Sequence, residues 1–116
     1  MKTILVVEDE ENLQILYSQE LTDFGYNVIT VESGEKALSI LDKEKIDLVV
    51  LDIRLTGMNG LEALEEMLLK NRNLKVVINT AYATYKDDFS SWLADDYVVK
   101  SSDLTELKTS IAKLLE

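Results

Sequence analysis

Acidic, hydroxyl and basic side chains follow four short apolar runs of this chain, each close to the point where the run ends. The residues concerned are Glu8, Asp9, Asp52, Thr80 and Lys100. Carboxylates bind hard divalent cations, and an ammonium and a hydroxyl can hold the oxygens of a phosphoryl group. If the fold brings the runs together, these residues could form a site for one divalent cation and one phosphoryl group.

The elements that would position these residues follow from the apolar pattern. Short continuous runs of Val, Ile and Leu are typical of parallel strands that helices cover on both faces. Segments with helical spacing lie between the runs, so the sequence predicts a single α/β domain whose working site lies at the carboxyl ends of its strands. The predicted strands are 4–7, 27–31, 48–51, 76–78 and 97–99, and the predicted helices are 11–24, one after Ser33, one from 59–60, one within 84–93 and one from Ser102 or Asp103 to the last residue.

The predicted helices carry apolar stripes that should pack against the sheet. Gly25 should end the first helix and Ser33 should cap the second, while Asp103 and Glu106 have the spacing of a capping pair at the last. The residues expected to face inward are Leu13, Leu16, Tyr17, Leu21, Phe24, Ala37, Leu38, Leu41, Leu61, Leu64, Leu68, Leu104, Leu107, Ile111, Leu114 and at least one of Phe89 and Trp92.

The composition excludes several classes of function. A formal net charge of −10 argues against direct nucleic-acid binding, because such binding depends on basic patches. No apolar run is long enough to cross a membrane, and the first strand begins too early for a signal peptide. The chain has no cysteine, which is consistent with the cytoplasm, and no histidine, so any phosphohistidine must belong to a partner.

The carboxylates predict a specific chemistry. Glu8, Asp9 and Asp52 would repel one another in one crevice unless a cation were present, and oxygen ligands with several waters favour Mg²⁺. Asp52 beside such an ion could attack phosphorus, while Lys100 neutralises charge on the phosphoryl oxygens. Taken singly, each residue has a plainer interpretation: the acids as turn residues, Lys100 as solvated surface, Thr80 as a strand former and Tyr97 as core.

Four stretches together give the chain a family resemblance. They are residues 4–10, 48–60, 80–81 and 97–100. Over essentially its whole length the sequence resembles a receiver domain of two-component response regulators. The resemblance implies one receiver domain at 1–116, with a doubly wound, flavodoxin-like sheet of order 2-1-3-4-5 and helices on both faces. Because the predicted last helix reaches the final residue, we expect either a stand-alone receiver or a receiver cut from a longer protein at a domain boundary.

The resemblance also implies a role for each site residue. Asp52 would accept a phosphoryl group from a kinase phosphohistidine and thereby switch a protein-interaction surface. That surface would comprise the fourth helix, the fifth strand and the fifth helix, and a downstream protein would bind there. The implied assignments are Asp9, Asp52, the Arg54 backbone carbonyl and, through water, Glu8 for Mg²⁺; Lys100, Thr80, Ala81 and Tyr97 for phosphoryl binding and switching; and Arg54 and Tyr82 for limiting the access of water.

Some features depart from the family pattern. Ser101 stands where the family often has a proline, so we expect a trans Lys100–Ser101 bond. Thr56 also replaces a frequent proline, and it should loosen the loop after Asp52.

Three other functions compete with phosphoryl acceptance. A phosphatase of the haloacid dehalogenase type needs an aspartate two positions after its nucleophile, and this chain has Arg54 there. A receiver could instead act as an interaction module without being phosphorylated. Nucleotide binding is weakly supported, since no glycine-rich loop follows any strand. We expect a protein that promotes only its own phosphorylation and dephosphorylation, not an enzyme.

Overall fold

The predicted architecture is confirmed. A computed structural model describes residues 1–55, 57–83 and 92–116 of the chain. All strand pairs are parallel, in the order β2-β1-β3-β4-β5. The elements are β1 (Thr3–Val7), α1 (Glu11–Asp23), β2 (Asn27–Val31), α2 (Gly34–Lys43), β3 (Leu48–Leu51), α3 (Gly60–Lys70), β4 (Lys75–Thr80), β5 (Asp96–Val99) and α4 (Thr105–Leu114).

Two apolar clusters hold the helices on opposite faces of the sheet. On one face, Ala37 of α2 and Leu64 of α3 pack with alternate strand residues in the first cluster. On the other face, Tyr17 of α1 and Ile111 of α4 belong to the second cluster. Buried strands covered on both sides explain the continuous apolar runs in the sequence. Within the described ranges, no helix is long and apolar enough to span a membrane.

Local signals at three helix ends agree with the sequence. Gly25 has a φ of 106°, and the N–H groups of Gly25 and Tyr26 donate to the carbonyls of Thr22 and Leu21. This is the bonding pattern of a Schellman motif. The Ser33 hydroxyl accepts from Lys36 N at 3.2 Å to cap α2, and the Asn59 side chain accepts from Leu61 N at 2.7 Å to cap α3.

Some packing predictions are wrong. Leu16 is 37% exposed and Phe24 is 51% exposed, because Tyr17 and Leu21 fill the space under α1 and the helix ends before Phe24. Phe24 instead packs at the surface against Tyr26, with the ammonium of Lys108 5.7 Å from its ring centroid.

Predictions near the end of the chain also need correction. The last helix begins at Thr105, because Asp103 Oδ1 accepts from Thr105 N and Oγ1 in the turn before it, and the helix ends at Leu114. No side-chain cap from the predicted Asp103–Glu106 pair is present at α4. Trp92 is 67% exposed and is not a core residue, so the prediction that at least one of Phe89 and Trp92 faces inward now depends on Phe89 alone. The predicted helix within 84–93 falls largely outside the described residues, as do Phe89 and Thr56.

Candidate functional site

The sheet register brings the predicted acidic residues together. Strand β1 lies beside β3, with Val7 paired to Leu51, so the residues that follow these strands emerge side by side. One carboxylate oxygen from each of Glu8, Asp9 and Asp52 lies within 4.8 Å of the others. The close approach of α3 fixes this edge, because a Cβ added at Gly60 would lie only 2.2 Å from the Asp52 carbonyl oxygen.

Two of the three carboxylates are buried. Glu8 is 1% exposed and Asp52 is 6% exposed, whereas Asp9 lies at the surface. Burying charged carboxylates is costly unless a cation and hydrogen bonds compensate them. An all-oxygen set of this kind, open to solvent on one side, suits a hard cation that keeps part of its water shell.

Lys100 is the cation that compensates the buried acids. Its Nζ atom lies 2.6 Å from Glu8 Oε1 and 2.8 Å from Asp52 Oδ2. Burial alone would lower the pKa of Lys100, but hydrogen bonds and charge attraction from both carboxylates outweigh burial and raise the pKa above its usual value. The Lys100–Ser101 bond is trans, as expected, and the ammonium still reaches both acids.

Glu8 is held at both its side chain and its backbone. Its Oε2 atom accepts from Glu10 N at 3.1 Å, and its carbonyl oxygen accepts from Gln14 Nε2 at 2.5 Å. Burial raises the pKa of Glu8 despite the hydrogen bond from Lys100. The carboxylate is thus fixed in place while its ionised form depends on a neighbouring cation.

Thr80 supplies a buried hydroxyl next to the charged cluster. It ends β4 fully buried, and Lys100 N donates to its carbonyl oxygen at 2.7 Å. Across the described ranges, Thr80 Oγ1 is the buried side-chain polar atom that lacks a hydrogen-bond partner. An oxygen atom of a ligand that reached this hydroxyl would supply the missing acceptor.

The predicted gating and switch residues form a chain of contacts beside the cluster. Arg54 N donates to Asp52 Oδ1 at 3.3 Å, and the Arg54 guanidinium carbon lies 4.8 Å from the Tyr82 ring centroid. The Tyr97 hydroxyl donates to the Tyr82 carbonyl oxygen. With the acids, Lys100 and Ala81, the Arg54–Tyr82 pair borders a cavity of about 220 Å³. Of the residues proposed from sequence, Tyr97 and Thr80 do not line this cavity, but Tyr97 bonds Tyr82 and Thr80 bonds the Lys100 backbone.

One buried polar pair under the site was not predicted from the sequence. The side chains of Tyr17 and Asn79 hydrogen-bond to each other, and both are almost fully buried. Burial raises the pKa of Tyr17, and the Asn79 hydrogen bond opposes that rise. The sequence contains one indication of such a pair, because Asn79 is a polar residue directly before Thr80 at the end of an apolar run.

Comparison with known proteins gives a consistent result. The family model for the response regulator receiver domain matches residues 4–112. The sporulation initiation phosphotransferase F of Bacillus subtilis is 32% identical over 114 residues, which cover 97% of this chain and 92% of that protein. The alkaline phosphatase synthesis transcriptional regulatory protein PhoP of B. subtilis is 36% identical over 120 residues, but this chain spans only 48% of its length. The chain spans about half the length of several such regulators.

Solved structures agree in fold. The response regulator TrrA of Thermotoga maritima, crystallised with Mg²⁺ and BeF, is 46% identical, with a TM-score of 0.96 over 98% of this chain and 99% of that one. The same protein in complex with the histidine kinase ThkA gives a TM-score of 0.95 at 46% identity, with both chains fully covered. A CheY-like receiver from Methanospirillum hungatei has a TM-score of 0.91 at 29% identity, over 98% of this chain and 94% of that one.

We expect Lys100→Met to destabilise the fold by about 3–5 kcal/mol without divalent cations, because it leaves two buried carboxylates without their cation. The loss should shrink as the pH falls. The pKa of Glu8 is near 4.5 in the unfolded chain, and burial raises it in the folded protein. As the pH falls through the folded pKa, Glu8 takes up a proton, the uncompensated buried charge disappears and the folded variant regains stability. Urea unfolding of both proteins between pH 8 and pH 4.5 measures this difference.

Lys108→Met is the matched control. It removes an ion pair to the half-exposed Glu20, 2.8 Å away, and should cost about 1 kcal/mol or less. Equal losses in the two variants, or a Lys100→Met deficit that does not change with pH, would contradict the assigned charge balance.

Proposed function

Because this chain belongs to the response regulator receiver domain family, we propose that it accepts a phosphoryl group on Asp52 from the phosphohistidine of a sensor histidine kinase or a phosphotransfer protein. The observation that carries the proposal is the position of Asp52. Its carboxylate contacts Lys100 and lies within a group of three acids, and the carbonyl of the buried Thr80 accepts from the Lys100 backbone. This arrangement provides a nucleophile, charge neutralisation and a hydrogen-bond donor for one phosphoryl group.

The transfer needs little covalent chemistry from the protein. A carboxylate oxygen of Asp52 attacks phosphorus, an O–P bond forms and the N–P bond of the donor breaks. The imidazole nitrogen keeps the bonding electron pair and takes up a proton from solvent. Lys100 follows the negative charge: its ammonium, now shared by Glu8 and Asp52, pairs with an oxygen of the transferred group. The Thr80 hydroxyl then donates to another of these oxygens.

Mg²⁺ is the cofactor of this proposal. Asp9, Asp52 and the backbone carbonyl of Arg54 would ligate it directly, and Glu8 would act through a water. The carboxylate oxygens of Glu8, Asp9 and Asp52 lie within 4.8 Å of one another, which supports the acidic part of this set. When bound, Mg²⁺ would neutralise charge on the oxygens of the reacting group. Such a cation would also share with Lys100 the neutralisation of the buried acids.

The change caused by phosphorylation would reach the interaction surface through Thr80, Ala81 and Tyr97. A hydrogen bond from Thr80 to the phosphoryl group would draw the end of β4 toward Asp52, and Ala81 borders the same cavity. Because the Tyr97 hydroxyl donates to the Tyr82 carbonyl, a shift of this segment would change the position of Tyr97 in β5. A downstream protein would read this change on β5, α4 and the segment 84–93.

The domain promotes its own phosphorylation and dephosphorylation and turns over no external substrate. Its partners are a histidine kinase and a downstream protein, and its location is the cytoplasm, where a kinase would be phosphorylated from ATP. A phosphatase of the haloacid dehalogenase type is disfavoured, because Arg54 stands where that class places its general acid. A receiver that acts without phosphorylation remains the alternative, and the next experiment distinguishes it.

Incubation with Mg²⁺ and acetyl phosphate should add one phosphoryl group to the wild-type protein, as measured by intact mass. Asp52→Ala and the addition of a chelator should each abolish the adduct. Asp42→Ala, which removes a surface aspartate paired with Lys70, is the control and should behave as wild type. An adduct of equal yield in Asp52→Ala would refute the phosphoacceptor assignment, and no adduct in wild type would favour the phosphorylation-independent module.

Arg54 and Tyr82 should limit the access of water to the phosphorylated site. They stack at 4.8 Å over the cavity, so Arg54→Asn and Tyr82→Glu should each shorten the acyl-phosphate lifetime by about twofold to fivefold, the equivalent of one exposed cation–π contact. Since either change breaks the same stack, the double variant should lose less than the product of the single effects. Unchanged or longer lifetimes in all three variants would show that these side chains do not gate water.

A further inference from the structure

The loop between β3 and α3 must be held in place for the proposed cation site to work. This loop begins at Asp52 and presents the Arg54 carbonyl that the proposed function assigns to Mg²⁺. The chain contains no proline, so no residue fixes a φ angle of the loop covalently. Gly57 has a φ of 83°. Glycine adopts this conformation freely but also adopts many others, so Gly57 does not by itself fix the conformation of the loop. Order in the loop must come from contacts with other elements.

Glu35, in the first turn of α2, contacts the backbone of this loop. Its Oε2 atom accepts a hydrogen bond from Met58 N at 3.3 Å. The same carboxylate covers Gly57, since a Cβ built there would lie 3.1 Å from Oε2 and 3.7 Å from Cδ. Glu35 is thus packed over one residue and bonded to the next. The Ser33 cap fixes the helix turn from which it reaches.

The side chain of Met58 is held by the same turn of α2. A Cβ built at Gly34 would lie 3.4 Å from Met58 Sδ and 3.5 Å from Met58 Cβ, so the Met58 side chain packs against the start of the helix. Consecutive residues of α2 therefore hold the backbone and the side chain of one loop residue. In addition, Gly60 N donates to the Ile53 carbonyl at 2.8 Å, and this hydrogen bond joins the end of the loop to its beginning.

We propose that Glu35 is a positioning residue for the cation site. By accepting from Met58 N, it holds the loop so that the Arg54 carbonyl and the Asp52 carboxylate are presented together. This inference rests on the proposed function, because it concerns the same Mg²⁺. The carboxylate could instead act at a distance, by adding negative charge near a cation. The two explanations differ for a neutral side chain that keeps the acceptor oxygen.

Mg²⁺ affinity of Glu35→Ala and Glu35→Gln separates these explanations. Isothermal titration with MgCl₂ should show binding about threefold to tenfold weaker in Glu35→Ala, the effect of one lost hydrogen bond. Glu35→Gln keeps an oxygen for Met58 N and should bind within about twofold of wild type. Glu32→Ala removes an acid that pairs with Lys36 on the exposed surface before α2, and it should match wild type. Glu35 is itself exposed, so each variant should fold.

The outcomes distinguish this inference from the proposed function. Unchanged affinity in Glu35→Ala would overturn the positioning role while leaving the cation site intact. Equal weakening in Glu35→Ala and Glu35→Gln would show that charge matters and the hydrogen bond does not, which also overturns it. A wild-type protein that binds no Mg²⁺ would overturn both the metal assignment and the positioning role. Thermal unfolding without Mg²⁺ provides a control, because a purely structural role would lower that midpoint without a selective change in affinity.

Discussion

The ammonium of Lys100 between two buried carboxylates is the interaction on which the site depends. Glu8 and Asp52 are both buried, and burying two carboxylates is costly unless a cation contacts them. Lys100 carries one positive charge against these two buried acids. In the proposed function a divalent cation would supply further positive charge, and Lys100 would then pair with the oxygens of a phosphoryl group. The contacts of Lys100 with Glu8 and Asp52 therefore contribute both to the stability of the fold and to the proposed function.

The surrounding fold serves to keep this cluster at one edge of the sheet. The parallel register of β1 and β3 places the acids side by side, and the absence of a side chain on Gly60 lets α3 begin against the Asp52 carbonyl. Thr80 is placed by β4, and its carbonyl bonds the backbone of Lys100. Asp52, Thr80 and Lys100 thus lie at the ends of three neighbouring strands, whose relative positions are fixed by backbone hydrogen bonds.

Sequence patterns were sufficient to predict the fold and the grouping of the acids and Lys100 at one edge of the sheet, because buried parallel strands and their polar ends are local signals. Packing around them was harder to predict. Leu16 and Phe24 match the apolar stripe of α1 yet are exposed, since the space under that helix admits only some of its members. The stack of Arg54 on Tyr82 and the bond from Glu35 to the loop join residues distant in sequence. Such contacts depend on side-chain directions that periodicity does not encode.

The central claim is that Lys100 moves from the acids to the phosphoryl group while Thr80 gains its partner. A crystal structure with Mg²⁺ and beryllofluoride on Asp52 tests this most directly, because beryllofluoride takes the place of the phosphoryl group. We predict Lys100 Nζ in contact with a fluorine and no longer with Glu8, and Thr80 Oγ1 donating to a second fluorine. A structure in which Lys100 still bridges Glu8 and Asp52, with Thr80 Oγ1 unpaired, would contradict the account.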